Sequence, residues 1–567
     1  MRKNMLRKPF KVTAAALCAA MIVAGAAGCG SAAAGNTETS AITAETTDKS
    51  AGADNTGAAG GNSTMTTAAD TTTTGTAAAS SEQFTERDLS ADYEIDCTIT
   101  LADGASTADG SGVSIDGDTI TITAEGTYLL QGSLSSGQII IDVEDTEKVQ
   151  LVLDGVSIVN ESDAAIYVLN ADKVFVTTAA GSTNTITVTG EFPEEDEYGN
   201  GVDAAIFSKD DLMLNGEGTL TVSCETGHGI VSKNDLKVCG GTLTVTSAKK
   251  GLSAEDSVRI ADGTITIDSS EKDGVHVEND DESVDAYFYM SGGTLTIAAG
   301  DDGIDASGTL IIDGGTINIT ECQEGIEGLT VVINDGEISI VSADDGINAS
   351  DGSGGEQMGM MFGASSDASL TINGGTIYVN SSGDALDSSG DLYVNGGTVL
   401  LDGPTSDGEG AIDIGDGAQG VITGGTVIAA GSSGMAENFG QSSTQGAILY
   451  SFGQQTAGTT VTLADASGNV IAEYTPQKSF SSIVISTPEI QAGETYTLTV
   501  GGQSYTIEMT SLIYGEGMMM GMGQMGGMGQ QGDMSDMGQM PGQGGSPQGG
   551  FPGQGSGQMP QGGPMGQ

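Results

Sequence analysis

The clearest pattern in the chain runs from Gly292 to Asn348, where short apolar and polar alternations recur at a nearly constant interval. It reads GGTLTIAAGDDGIDASGTLII, then GGTINITECQEGIEGLTVVI, then DGEISIVSADDGIN. Thr294 returns as Thr316 after 22 residues, and Glu337 takes that place 21 residues later. Leu295 and Ile297 alternate with Thr294 and Thr296, Ile304 sits between Gly303 and Asp305, and Leu310 and Ile312 bracket Ile311 before Gly314 and Gly315. Three runs of period two, rich in β-branched residues and bounded by Gly or Asp, predict three strands per repeat. About 22 residues at ~3.3 Å each make a perimeter of roughly 70 Å, enough for one triangular rung. A unit this short cannot bury its own apolar face and must stack on copies of itself. The pattern therefore predicts an all-β chain, a parallel β-helix solenoid with inward Ile, Leu and Val and outward Thr, Asp and Asn.

The flanks of the pattern divide the chain. Residues 1–29 carry Arg2, Lys3, Arg7, Lys8 and Lys11 ahead of an Ala-rich apolar run that ends at Cys29 in AAGCGS. This is too short for a spanning helix and reads as an export signal. Its end resembles a lipobox, which makes Cys29 the expected lipidation site; cleavage near Ala27 to give a soluble secreted protein is the alternative. Residues 30–88 are Ser, Thr, Ala and Gly with a few acids and predict a disordered linker. The β-helix is expected over 89–430, with insertions at Glu191 to Gly201, Asn279 to Asp285 and Asp351 to Asp367; the last carries Met358, Met360, Met361 and Phe362. Strand-like runs within 431–514 predict a small antiparallel β unit that closes the end of the solenoid, where an open edge would invite association. Residues 515–567, with 11 of the 22 Met, are expected to be a disordered Gly/Met/Gln-rich tail. Soft metal binding by the tail is the less favoured reading, since no Cys or His accompanies the Met.

Charge changes the picture most. The chain has 77 acids and 17 bases, a formal net charge of −60 at pH 7, which excludes nucleic acid and anionic membrane surfaces as partners. Between Asp273 and Gln477 there is no Lys or Arg, while Asp273 to Ala430 holds 28 acids. Aligning the rungs on Ala205, Gly229, Gly251, Gly274, Gly303, Gly325, Gly346, Ala385 and Ala411 collects these acids into two rows. The residue before the anchor is Asp273, Asp302, Glu324, Asp345 or Asp384; the residue two after it is His276, Asp305, Glu327, Asn348, Asp387 or Asp413. Carboxylates stacked about 4.8 Å apart repel by roughly 3 to 4 kcal/mol per neighbouring pair at an effective dielectric near 20, and by under ~1 if fully hydrated. With no base nearby in sequence, a bound cation is the remedy. Oxygen-only ligands and an extracellular setting point to Ca²⁺. The first cluster expected is Asp301, Asp302 and Asp305, the second Asp344, Asp345 and Asn348, the third Asp384 and Asp387, with Glu324, Glu327 and Asp273 completing the rows. A solvated acidic face is the alternative.

The phrases GTYLLQG, GGTLTI, DDGIDA and AGETYTLTV, which span most of the chain from Leu89 to Met509, resemble the bacterial carbohydrate-binding-domain-containing family, whose members look like polysaccharide lyases. The resemblance implies a right-handed parallel β-helix, bound calcium, and binding to cellulose-like or acidic plant polysaccharides. The resulting expectation is a monomeric, non-catalytic, lipid-anchored protein of the outward cell surface, meeting the membrane through its anchor alone. A pectate-type lyase is the first alternative. It requires a Lys or Arg base, for which Lys249, Lys250, Arg259 and Lys272 are candidates, though partners of Asp256, Asp262 and Asp273 is the commoner role. An adhesin or spacer for protein partners is the second.

Smaller signals add little. His228 and His276 are the only histidines and read as incidental. Cys97, Cys224, Cys239 and Cys322 show no stacked pair, with Cys322 aligned to Gly300, so free thiols are expected. Trp is absent and there are 13 Tyr and 11 Phe, which excludes a broad aromatic platform; Tyr378 and Tyr393 are the candidates for stacking on single sugar rings.

Overall fold

Alternation decides the interior. In the strand Thr294–Ala299, Leu295 and Ile297 turn to one side and are fully buried, while Thr294 and Thr296 turn to the other. The same division recurs in Thr316–Glu321, Glu337–Ser342 and Thr376–Ser381. The computed structural model describes residues 83–515, apart from Glu197, Asp280, Glu282 and residues 351–366. The expected export signal, Cys29, the chain up to residue 82, the methionine-bearing insertion and the tail from residue 516 lie outside the described residues. All described elements are strands, most of them paired in parallel.

Three columns of parallel pairs run through the repeats. One joins the Thr-led strands, so that Leu295, Ile317, Ile338, Ile377, Val399 and Val427 stand in register. A second joins Phe288, Leu310, Val331, Leu370 and Leu392. The third joins the short strands after the small anchor, placing Ile230, Leu252, Val275, Ile304, Ile326, Ile347, Leu386 and Ile412 in one line. That register is the one the sequence spacing predicts. The inward aliphatics of all three columns belong to one core cluster that extends from Cys97 to Ile513.

Two glycine positions make this stacking possible. The second Gly of each Gly-Gly corner adopts a left-handed φ, +79° at Gly293 and +95° at Gly315, where other residues are strained. At the anchor the constraint is space: a Cβ on Gly303 would lie 2.5 Å from the Gly325 carbonyl oxygen and 2.7 Å from Ile319 Cδ1. The residue just before the Gly-Gly corner builds an amide ladder. Asn395 Nδ2 donates to Asn373 Oδ1 (2.9 Å), Asn373 Nδ2 to Asn334 Oδ1 (2.7 Å) and Asn334 Nδ2 to Asp313 Oδ1 (2.7 Å).

The ends depart from the expected boundaries. The chain is packed from Gln83, ahead of the expected start of the body at Leu89. This leading segment lies across six later repeats, touching Gln150, Phe175, Asn215, Lys237, Arg259 and Tyr289. Phe84 packs against Tyr289, Arg87 stacks over Phe175, and the Asp88 carboxylate is buried between Lys173 (3.4 Å) and Lys237 (3.3 Å). Its composition resembles the linker, but Phe84, Arg87 and Asp88 have partners far along the chain that local composition does not reveal. After Gly431 the chain serves two sheets. Phe480–Ser486 pairs antiparallel with both Thr426–Gly431 and Ala447–Gln455, extending the main sheet. Val461–Ala464, Val470–Tyr474, Thr495–Val500 and Gln503–Glu508 form a separate four-stranded antiparallel sheet. The four cysteines among the described residues are free. The register shifts just before Cys322, where Glu321 stands opposite Ala298.

Candidate functional site

The glycine anchor determines what surrounds it. Because residue and anchor turn sharply together, the side chain before the anchor and the side chain two after it both face out on either side of the same bend. Backbone bonds from Gly274 N to Asp302 O, Gly303 N to Glu324 O, Gly325 N to Asp345 O and Gly346 N to Asp384 O hold the first row in step. Direct pairing holds the second: His276, Asp305, Glu327, Asn348, Asp387 and Asp413 are successive register partners. Acids spread over 140 residues of sequence thus become two adjacent rows in a half-buried trough. Asp273 is 4% exposed, Asp384 6% and Asn348 6%, low values for ionisable and polar groups.

Each group joins a pair from one repeat to a member of the next or the preceding one. Asp301 and Asp302 gather with Asp273 of the preceding repeat, while Asp305 gathers with Asp273 and His276. The expected trio Asp301, Asp302 and Asp305 is therefore divided between two groups. Asp345 gathers with Asp384 and Asp387 of the following repeat, their ligand oxygens all within 4.8 Å of one another. That merges parts of the second and third expected clusters. Asp344 is exposed and outside these groups. Asn348 Nδ2 donates to Glu324 Oε2 (2.8 Å), but its buried Oδ1 has no hydrogen-bond partner. Glu327 accepts from Ser350 Oγ (2.9 Å). Residues three apart across one anchor do meet, Asp273 with His276 and Asp384 with Asp387, and the neighbouring repeat, one strand spacing away, supplies the third member of each group.

The electrostatics follow from this crowding. Burial, then the charges of Glu324, Asp273 and Asp301, pushes Asp302 up to about 8. Burial and neighbouring acids push Asp384 up to about 8, and Asp345 and Asp387 up to about 7. Glu324, Glu327 and Asp413 rise for the same first reason, burial. At neutral pH these rows hold protons that ordinary carboxylates have lost, the condition a divalent cation relieves.

One residue was underrated by spacing alone. His276 Nδ1 lies 2.7 Å from Asp305 Oδ2 and 3.0 Å from Asp273 Oδ2, and Nε2 lies 3.2 Å from Glu278 Oε2. Burial opposes its charge, but hydrogen bonds to Asp273 and Asp305 outweigh it and raise its pKa to about 9. On Asp273 burial acts upward, and the bond and charge of His276, with Lys250, bring the net shift down. The signal was present: His276 occupies a position that is Asp, Glu or Asn in every later repeat. Lys250 occupies the row of Asp273 one repeat earlier, since Gly251 N donates to Asp273 O. Of the other candidate bases, Lys249 meets Asp203 (3.3 Å), Arg259 meets Asp235 (3.0 Å) and Lys272 meets Asp301 (3.0 Å).

The two tyrosines lie in different strand columns. Tyr378 donates its hydroxyl to Asp402 Oδ2 (2.9 Å), a carboxylate shared with Tyr474 and the Gln477 amide, so the C-terminal segment engages it. Tyr393 donates to Asp391 Oδ2 (2.6 Å) and remains half-exposed.

Comparison with known proteins gives three results. The family model described as "Carbohydrate-binding domain-containing protein" matches residues 116–360. A protein of that description from Acetivibrio thermocellus is 38% identical over 209 residues, 37% of this chain and 73% of the relative. A solved structure, the polysaccharide lyase-like protein from C. thermocellum as a gadolinium derivative, is 32% identical, covers 43% of this chain and 97% of its own, and superposes with a TM-score of 0.37. With nearly three quarters of a relative matched at 38% identity, the chain belongs to the carbohydrate-binding-domain-containing family.

Proposed function

We propose that this chain is a calcium-dependent polysaccharide-binding protein of the cell surface. In this reading the three strand columns are the faces of one right-handed parallel β-helix, and Cys29 carries the lipid that tethers a monomer to the outward side of the membrane. Family membership supports the carbohydrate ligand. The observation that carries calcium is the group Asp345, Asp384 and Asp387, joined in register by the unpartnered carbonyl of Asn348. Two oxygens on one Ca²⁺, each about 2.3–2.6 Å from it, are at most roughly 5 Å apart, so this spacing fits. The donor set is all oxygen and lacks the nitrogen and sulfur that favour zinc. Asp273, Asp301 and Asp302 offer a second group, weakened by the Lys272 contact on Asp301. Bound Ca²⁺ would supply positive charge to sugar hydroxyls or a uronate carboxylate, and the outward Thr, Asn and Asp rows would add donors and acceptors.

Against a lyase, Lys249, Arg259 and Lys272 are each engaged by a carboxylate; Lys250, whose pKa burial lowers, is the base a lyase would have to use. The decisive experiment is a glycan pull-down panel run with Ca²⁺ and with chelator, beside calorimetry of Ca²⁺ uptake. Glycan retention that chelator abolishes is the expected outcome. Retention of no glycan in either condition, or no uptake of Ca²⁺, overturns the reading. Ultraviolet-absorbing unsaturated product from pectate and Ca²⁺ would establish the lyase instead.

A further inference from the structure

Beside the acidic rows, one irregularity opens a cavity. The strands Ile304–Ile312 and Ile326–Ile333 are in register at Asp305 and Glu327 and again from Thr309 and Thr330, but the register shifts between Ala306 and Thr309. Ser307 and Gly308 there stand opposite the single residue Leu329, which bulges the strand outward. Gly328 is held small by its strand neighbours, since a Cβ there would press on the Ala306 carbonyl oxygen and Leu310 Cβ, both at 3.3 Å. The result is a cavity of about 240 Å³, walled by His276, Asp305 and Glu327, floored by Ala306 and Gly328, and bordered by the exposed Ser307.

We infer that this cavity is a subsite for one neutral sugar unit of the polysaccharide; the inference rests on the carbohydrate-binding reading above. Its size suits a single ring, well under the volume that larger ligands need. Its walls are built to accept hydroxyl donors. Asp305 spends Oδ2 on His276, and Glu327 spends Oε1 on Ser350, which leaves Asp305 Oδ1 and Glu327 Oε2 as acceptors. A hydroxyl donating to a carboxylate makes a charge-assisted bond. A uronate carboxylate in the same place meets Asp305, Glu327 and Glu278, and these acids with Asp273 outnumber the two cations beside them, His276 and Lys250. Ala306 and Gly328, which line the cavity, are small and leave their backbone open to a ring. The cavity thus selects neutral over acidic sugars, while any uronate preference belongs to the cation group two repeats on.

The test is titration calorimetry on the full chain in Ca²⁺, with neutral pentamers of glucose, mannose and xylose and with a galacturonate pentamer. Ser307→Phe fills the mouth from an exposed position, and Glu327→Gln removes a charged acceptor. Affinity for the neutral pentamer that binds falls about tenfold or more in each variant, the effect of one lost charge-assisted bond or a blocked ring. Galacturonate binding and Ca²⁺ uptake in Ser307→Phe stay as in the parent. Undiminished neutral-sugar binding by Ser307→Phe, with Ca²⁺ uptake intact, overturns this subsite and leaves the proposed function standing. A loss confined to galacturonate overturns its selectivity. Binding of no pentamer by the parent chain overturns the subsite as well, and the polymer panel then decides the broader reading separately.

Discussion

Two side-chain rows climb the same repeats and meet opposite fates. The amide ladder from Asp313 through Asn334, Asn373 and Asn395 satisfies itself, because each amide carries both a donor and an acceptor and passes one bond to the next. The carboxylate rows cannot do this. An ionised carboxylate only accepts, so stacking it on its own kind leaves repulsion and unfilled lone pairs, seen as the raised values of Asp302, Asp345, Asp384 and Asp387. A periodic backbone makes either row equally easy to build. What separates a structural row from a binding row is whether its chemistry closes on itself.

The sharpest way to break the comparison is to convert one row into the other. In the triple variant Asp345→Asn, Asp384→Asn and Asp387→Asn, the melting temperature in chelator rises by several degrees, since like charges vanish, and added Ca²⁺ stabilises the protein much less than it does the parent, through the second group alone. Parent and variant therefore exchange rank when Ca²⁺ is added, which thermal scans in both conditions check.

Next in size is the pH dependence of the metal-free protein. The raised carboxylates bind more protons folded than unfolded between their ordinary value of 3.8 and their folded values of about 7 to 8. Stability in chelator accordingly falls as pH rises through that window. His276 acts in the same direction at a higher range: its stabilisation is complete below 6.5 and is lost as pH passes about 9. Denaturant midpoints from pH 5 to 9 should decline in chelator, and in saturating Ca²⁺ the decline should shrink to the part that His276 contributes above pH 6.5. A flat profile in chelator would sink the claim of crowded acids.

Smaller still, Asn373→Asp interrupts the amide ladder by removing the donor to Asn334 and adding a charge. A loss of about 1 kcal/mol is expected, unchanged by Ca²⁺. Smallest is Lys272→Ala, which removes an exposed pair with Asp301 and should leave the melting temperature within about 2 °C.

Much of this was legible in the chain before any coordinates. A small residue followed by an inward aliphatic recurs from Ala205 to Ala411, and that alone predicts the register that aligns His276 with Asp305, Glu327, Asn348 and Asp387. Which oxygens meet was not legible, because spacing does not say whether a side chain reaches the preceding or the following repeat: Asp302 gathers with Asp273, and Asp345 with Asp384 and Asp387. His276 was passed over since a lone histidine carries no pattern of its own. The leading segment was missed for a related reason: Asp88 finds Lys237 149 residues away, and composition records only neighbours. The strands after Gly431 were found, but local alternation does not say which of two sheets a strand will join.

That leading segment also orders events in time. Gln83 docks through Tyr287, 204 residues further on, and Asp88 through Lys237, so the first part of the body to be synthesised cannot take its place until the repeats it crosses have stacked. Its seating is a latch thrown last, and it closes only over a correctly wound coil.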